Sequence, residues 1–207
     1  MARFVLVHGA WHGGWCFGEL AEALRARGHD VSAPDLPSET VGLDQRDYAA
    51  LIGPQPDAVV LGHSLGAQTV GHIEARRRVY LGGVLPIVDR ASEAFTESFG
   101  GFARDDQGRS FWPDAETAAT RLFPDCERER ADWAFARLRP QAAFDAIRTS
   151  LRADDVVLAT MRDVAIDPAW QVETARAHGA QVIELDAGHF AFFTQPAELA
   201  DVLTSLA

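Results

Sequence analysis

The chain has 207 residues, nearly half of them apolar, and a formal charge of −11. That length suits one compact domain with a real core, and the acidic balance excludes a nucleic-acid partner, whose phosphates call for a basic surface. All 19 basic residues are arginine, and lysine and asparagine are absent, which excludes a Schiff-base lysine, a P-loop lysine and a lysine general base.

Cys16 and Cys126 stand far apart and make no metal-ligand spacing, so a reduced protein with no metal and no cofactor is expected. The N-terminus lacks the pattern of a signal peptide, and no apolar run approaches the ~20 residues that span a bilayer. A cytoplasmic location and no membrane partner follow as expectations. The missing lysine and asparagine, both written with A-rich codons, fit a GC-rich bacterial genome.

In chain order, short β-branched runs alternate with helical patterns, the mark of a parallel sheet covered by helices. A first strand is expected over residues 4–7, then a Gly-rich loop over 8–14. A helix follows over 18–27, with Leu20, Ala23 and Leu24 on one face and Gly28 past its end. A short strand near Val31 runs into a loop at Pro34-Asp35-Leu36-Pro37, and residues 44–52 form a short helix stopped by Gly53 and Pro54. Ala58-Val59-Val60-Leu61 reads as a buried strand that delivers the chain into Gly62-His63-Ser64-Leu65-Gly66. A helix over about 65–75 and a strand over 80–88 come next. The last strands are expected at 156–160 and 181–185, and the last helices at 168–177 and 196–206, each with Pro in its first turn.

Between residues 91 and 148 strand signals vanish and aromatics cluster. Two or three helices can be drawn there, one ending at Pro124 and one over 127–139. This segment reads as a helical cap inserted into a single domain that spans 1–207.

Three motifs carry chemistry. Gly62-His63-Ser64-Leu65-Gly66 fits G-x-S-x-G between a strand and a helix. There the sharp turn strains the serine and pushes its oxygen clear of the backbone, beside the positive end of the next helix. The loop His8-Gly9-Ala10-Trp11-His12-Gly13-Gly14-Trp15 can aim a backbone N–H at a developing oxyanion. Ala10 and Leu65 are the expected donors. Asp186-Ala187-Gly188-His189 follows the last strand and places His189 at the end of the sheet where sites gather. His8, His12 and His63 are expected to shape the site loops; His29, His72 and His178 receive no role. An orienting carboxylate must lie between Ser64 and His189 in chain order. Asp163 is favoured, with Asp89 and Asp167 as alternatives.

The opening box, the Ser64 elbow and Ala187-Gly188-His189 together resemble the α/β-hydrolase superfamily. Within it they are most similar to the branch of plant methyl esterases, hydroxynitrile lyases and their bacterial relatives, and Leu122, Asp125-Cys126 and Leu138-Arg139-Pro140-Gln141 are similar to that branch's cap. The resemblance implies a mostly parallel sheet with flanking helices and a small helical cap, the leading hairpin of the fold being absent. It also implies a Ser64–Asp163–His189 triad, Ala10 and Leu65 as oxyanion donors, and a substrate pocket under the cap. The lyases of the branch carry Thr at Gly9 and Lys at Phe190, so what remains is the esterase pattern.

The cap holds seven of the chain's twelve phenylalanines, from Phe95 to Phe144, and Phe190 follows the base. Trp11, Phe190 and Trp112 are therefore expected to bind an apolar or aromatic ester of small size. A non-hydrolytic lyase or cyclase, or a catalytically silent binder, are the alternative functions.

Overall fold

The computed structural model describes residues 1–87, 94–97, 99–143 and 147–207. Asp89, Phe144 and the last residue of the strand expected over 80–88 lie outside the described residues.

The chain begins with β1 (Arg3–Val7), a 3-10 turn (Gly14–Phe17), α1 (Gly18–Ala26), β2 (Asp30–Ser32) and α2 (Gln45–Ile52). It continues through β3 (Gln55–His63), α3 (Gly66–Val70) and β4 (Ala75–Leu81). A middle segment carries β5 (Ala103–Arg104), β6 (Ser110–Phe111), α4 (Ala115–Arg121) and α5 (Arg128–Phe135). The last elements are β7 (Val156–Thr160), α6 (Pro168–Ala177), β8 (Gln181–Leu185), α7 (Ala191–Thr194) and α8 (Pro196–Ser205).

Six strands form one sheet in the order β2-β1-β3-β4-β7-β8, every neighbouring pair parallel. Because side chains alternate along a strand, the central strands feed two cores. Phe4, Leu6, Leu61, Leu81 and Leu158 pack with α1 and α8 on one face. Val5, Val7, Val60, Tyr80 and Val157 pack with α2, α3 and α6 on the other. Each fully buried aliphatic side chain contributes about 1.5–3 kcal/mol, so this double burial drives the fold. Strand order reverses at β1, which has β2 on one side and β3 on the other. Such a switch opens a crevice beyond the carboxyl ends of the strands, and the loops after β1 and β3 border it.

Local signals place several boundaries. Asp44 caps α2: its carboxylate accepts the N–H of Arg46 and of Asp47, while Asp47 accepts the Asp44 N–H at 2.8 Å. Such a reciprocal cap contributes about 1 kcal/mol. Strands β7 and β8 and helix α6 fall where the sequence places them.

Two expectations need correction. The helix after Ser64 ends at Val70 rather than near residue 75, and the following strand is Ala75–Leu81, not 80–88. The run Arg76-Arg77-Arg78 shows no apolar alternation. In the fold, Arg78 is buried in β4, paired with Asp155 at 2.6 Å, and Tyr80 donates to the same carboxylate at 3.2 Å. Burial of a paired arginine hides a strand from any reading of apolar alternation. Gly82 (φ 49°) then turns the chain off the sheet.

In the middle segment two helices form, shorter than expected, and β5 and β6 add an unforeseen antiparallel pair. Asp105, accepting the N–H groups of Gln107 and Arg109, and Gly108 (φ 74°) make its turn. With two residues per strand, no alternation is long enough to read. No helix among the described residues is long and apolar enough to cross a membrane.

Candidate active site

Ser64 stands where β3 gives way to α3, at φ 50°. Its N–H donates to Leu81 C=O at 3.1 Å and its C=O accepts the Val84 N–H at 3.1 Å. The turn is tight enough to need its glycines. A Cβ on Gly62 would lie 2.7 Å from Gly66 O, and one on Gly66 would lie 2.5 Å from His8 O. The Gly66 contact presses the loop after β1 against the Ser64 turn.

His189 leaves the end of β8 and Asp163 leaves the end of β7, neighbouring strands of the sheet. His189 Nδ1 meets Asp163 Oδ2 at 2.8 Å, and both side chains are buried. The carboxylate is heavily supported: Thr160 Oγ1 donates to Oδ2 at 2.7 Å, and the N–H groups of Ala165 and Ile166 donate to Oδ1 at 2.8 and 2.9 Å. Burial pushes the Asp163 carboxyl up, but His189 and these donors outweigh it and hold the group below the usual carboxylate range. Asp167 lies elsewhere, accepting the Trp170 N–H at 2.9 Å as the cap of α6.

Three more histidines, His8, His12 and His63, are buried in the same region. His63 Nε2 donates to the His189 C=O at 3.0 Å, and His12 Nδ1 donates to the Ala10 C=O at 2.7 Å. His8 Nδ1 donates to Gly9 C=O at 2.9 Å while its Nε2 accepts the Leu36 N–H at 2.9 Å. Since a carbonyl only accepts, each bond fixes which ring nitrogen carries the proton in the neutral form. Burial pushes His8 down to about 4, His12 down to about 3, and His63 well below its ordinary value.

Ser64 and His189 line one cavity of about 30 Å³ together with Ala10, Trp11, Leu65 and Phe190. Among the described residues, neither the Ala10 nor the Leu65 N–H has a hydrogen-bond partner, and the Ser64 hydroxyl makes none to His189. Looseness of that last kind is common before substrate binds. A water needs about 10–15 Å³ by this measure, so the cavity as it stands admits roughly two waters. A wider groove of about 690 Å³ beside Asp125, Arg130, Trp133 and Phe193 touches none of Ser64, Asp163 or His189. The small cavity is therefore the candidate site, because Ser64 and His189 converge there.

Of the three residues expected to bind substrate, Trp11 and Phe190 line the cavity. Trp112 does not: it is buried edge-on behind Trp11, ring centroids 5.4 Å apart, and serves as packing. Phe95, Phe99 and Leu122 complete the wall instead. Nothing in their spacing singles them out, since Phe95 and Phe99 belong to no helix or strand beyond an isolated bridge from Phe95 to Ile166.

A sheet with its switch point at β1, a strained serine in the turn after β3, and a histidine–carboxylate pair on the last two strands define an α/β hydrolase. Residues 4–202 match the Alpha/beta hydrolase family, and the chain belongs to it. More closely, it is similar to the carbendazim hydrolyzing esterase of Nocardioides sp. (strain SG-4G), 29% identical with both chains covered entirely. It is also similar to Methylesterase 10 of Arabidopsis thaliana, 27% identical over 99% of this chain and 91% of that one. Among solved structures, polyneuridine aldehyde esterase superposes with a TM-score of 0.79 at 20% identity, covering 100% of this chain and 99% of that one. At that identity the likeness is one of fold.

Proposed function

We propose that this enzyme hydrolyses a carboxylic ester of a small, apolar or aromatic substrate through an acyl-enzyme, with Ser64 as nucleophile, His189 as base and Asp163 as its orienting acid. The chain then acts as one domain, with residues 91–148 as the cap over the substrate. The observation that carries the reading is the 2.8 Å bond from His189 to a buried, fully supported Asp163, on the same cavity as the strained Ser64. Its esterase relatives support the reaction class.

In this mechanism the Ser64 oxygen attacks the ester carbonyl while its proton passes to His189 Nε2. The carbonyl oxygen takes on charge and is met by the N–H groups of Ala10 and Leu65, neither of which has another partner among the described residues. Collapse of the tetrahedral intermediate breaks the bond to the alkoxy group, which leaves as the alcohol with the proton from His189. Water then attacks the acyl-enzyme, giving its proton to His189, and the acid is released as Ser64 recovers its proton. Asp163 keeps Nδ1 protonated throughout, so that Nε2 is the nitrogen free to accept.

Position 9 favours hydrolysis over lyase chemistry. A Cβ on Gly9 would sit 2.9 Å from Ser64 Cβ, so no hydroxyl-bearing side chain fits there without displacing the serine. Trp11, Phe95, Phe99, Leu122 and Phe190 give the cavity its apolar walls and support an apolar or aromatic acyl group.

A fluorophosphonate probe should label the wild type and not Ser64→Ala, and the variant should lose hydrolysis of 4-nitrophenyl esters while keeping its circular dichroism. Wild-type turnover in folded Ser64→Ala would refute the mechanism. A panel varying acyl and alcohol groups independently would then define the substrate.

A further inference from the structure

The loop that carries Ala10 is held largely from outside itself. Trp11, the next residue, is at φ 64°, a conformation a bulky side chain resists. Its C=O accepts the backbone N–H of Arg139 at 2.8 Å, and its indole N–H donates to Ser110 Oγ at 3.1 Å and to Ser110 C=O at 3.2 Å. The Arg139 guanidinium completes the clamp. Nη2 donates to His12 C=O at 3.0 Å and to Leu36 C=O at 3.2 Å. Glu39 lies 3.4 Å from Nη1 and Asp35 lies 4.0 Å from Nη2. Asp35 in turn accepts the Gly14 N–H at 2.7 Å. One side chain from the end of the cap thus joins the loop after β1 to the loop after β2.

We infer that Arg139 is a positioning residue for the oxyanion donor: it holds residues 11–13 so that the Ala10 N–H stays fixed beside Ser64. The inference rests on Ala10 being that donor. Arg139 does not line the cavity and so touches no substrate. Its effect is on the aim of a peptide N–H whose following residue is strained, and a shift of about 1 Å in such a group costs on the order of 100-fold in rate. The planar fork suits the task, since it reaches two carbonyls while facing two carboxylates, which a lysine ammonium does not do from one position.

The test compares wild type, Arg139→Met and Arg139→Lys on 4-nitrophenyl butyrate, with Ser64→Ala and, for rescue, Arg139→Ala alongside. In Arg139→Met, kcat should fall by about 10- to 100-fold while KM stays within about threefold. Affinity for butylboronic acid, which adds to the serine and needs the oxyanion donors, should fall in parallel with kcat. Competitive inhibition by butyrate should not change. In Arg139→Ala, whose truncation leaves room for it, methylguanidine should restore part of the lost kcat, because the side chain it replaces is 30% exposed. Arg139→Lys should fall between wild type and Arg139→Met, and it carries the test alone if Arg139→Met does not fold. Wild-type kcat in either folded variant overturns the inference, and so does an equal loss of boronate and butyrate affinity without rescue, which would mark a purely structural role. If Ser64→Ala is inactive and the Arg139 variants are normal, only this inference fails. If Ser64→Ala keeps its turnover, the serine mechanism itself fails.

Discussion

Ser64 and Trp11 border the same cavity, and both are non-glycine residues at positive φ, 50° and 64°. They are held in opposite ways. The Ser64 turn is fixed by main chain close at hand: Leu81 and Val84 bond its own N–H and C=O, and Gly62 and Gly66 press bare backbone against backbone. Trp11 is fixed by side chains and an arm of chain about a hundred positions away, at Ser110 and Arg139. Strain in a backbone persists only where its surroundings over-determine it, and this molecule uses both ways of doing so at one site. The geometry of Ser64 is built into the sheet, whereas that of Trp11 depends on the distant chain around Ser110 and Arg139 being in place.

The largest effect should come from a change that touches neither strained residue. Asp163→Asn leaves the Ser64 turn and the Trp11 loop intact but lets His189 take the wrong tautomer, a change that costs up to ~10⁴ in kcat in a serine protease. Asp167→Asn should stay within about tenfold of wild type and lose about 1 kcal/mol of stability as the cap of α6 weakens. Steady-state kinetics and urea melts on both variants decide whether Asp163 is the acid; comparable activity in the two would remove it from the triad.

Breaking the locally held half of the comparison should cost stability. In Gly66→Ala the new Cβ would sit 2.5 Å from His8 O and 2.6 Å from Val7 O, with rigid backbone on both sides. A loss of about 3 kcal/mol or more is expected. Gly18→Ala is the control, since nothing lies within 4 Å of its Cβ position, and it should be neutral or slightly stabilising. Equal melting midpoints for the two variants would mean that the turn is not tightly over-determined.

The neutral histidines make the whole site sensitive to acid. Their folded values lie below the unfolded value near 6.5, so the unfolded chain binds protons first as pH falls. Stability is then full above about 6.5 and declines below it, by about 1.4 kcal/mol per pH unit for each such histidine, through about 4 for His8 and about 3 for His12. Asp163, held below the carboxylate range, adds a further loss below about 4. Denaturant melts from pH 7.5 to 5 test this, and a constant midpoint would contradict the buried neutral tautomers.

The smallest effect is expected at the Ser110 hydroxyl. Ser110→Ala removes one of the two oxygens that meet the Trp11 indole N–H and leaves the Ser110 carbonyl in place. The change should cost about 0.5 kcal/mol and alter kcat by no more than about twofold. A tenfold loss would show that the hydroxyl, and not the carbonyl, carries the clamp.

Much of this molecule was legible before its structure. Val156–Thr160 and Gln181–Leu185 are buried or half-buried strands whose apolar runs announce them, and Pro168 starts its helix where a proline costs least. Ser64, Asp163 and His189 could be singled out because each follows a readable strand, and a parallel sheet carries the loops after its strands to one end. The β4 strand was misread because a buried ion pair at Arg78 and Asp155 replaces the apolar alternation that reading relies on.

The sequence by itself determined the parallel sheet, the turn at Ser64 and the loops that carry Asp163 and His189, since these follow from periodicity and from glycine's lack of a side chain. Only the tertiary structure decided that Trp112 packs behind Trp11, that Phe95, Phe99 and Leu122 wall the cavity, and that Arg139 clamps the loop bearing Ala10. Those contacts join residues about a hundred positions apart or lie in chain without regular structure, where no period links a residue to the surface it meets. Their geometry exists only once these distant parts of the chain have packed together.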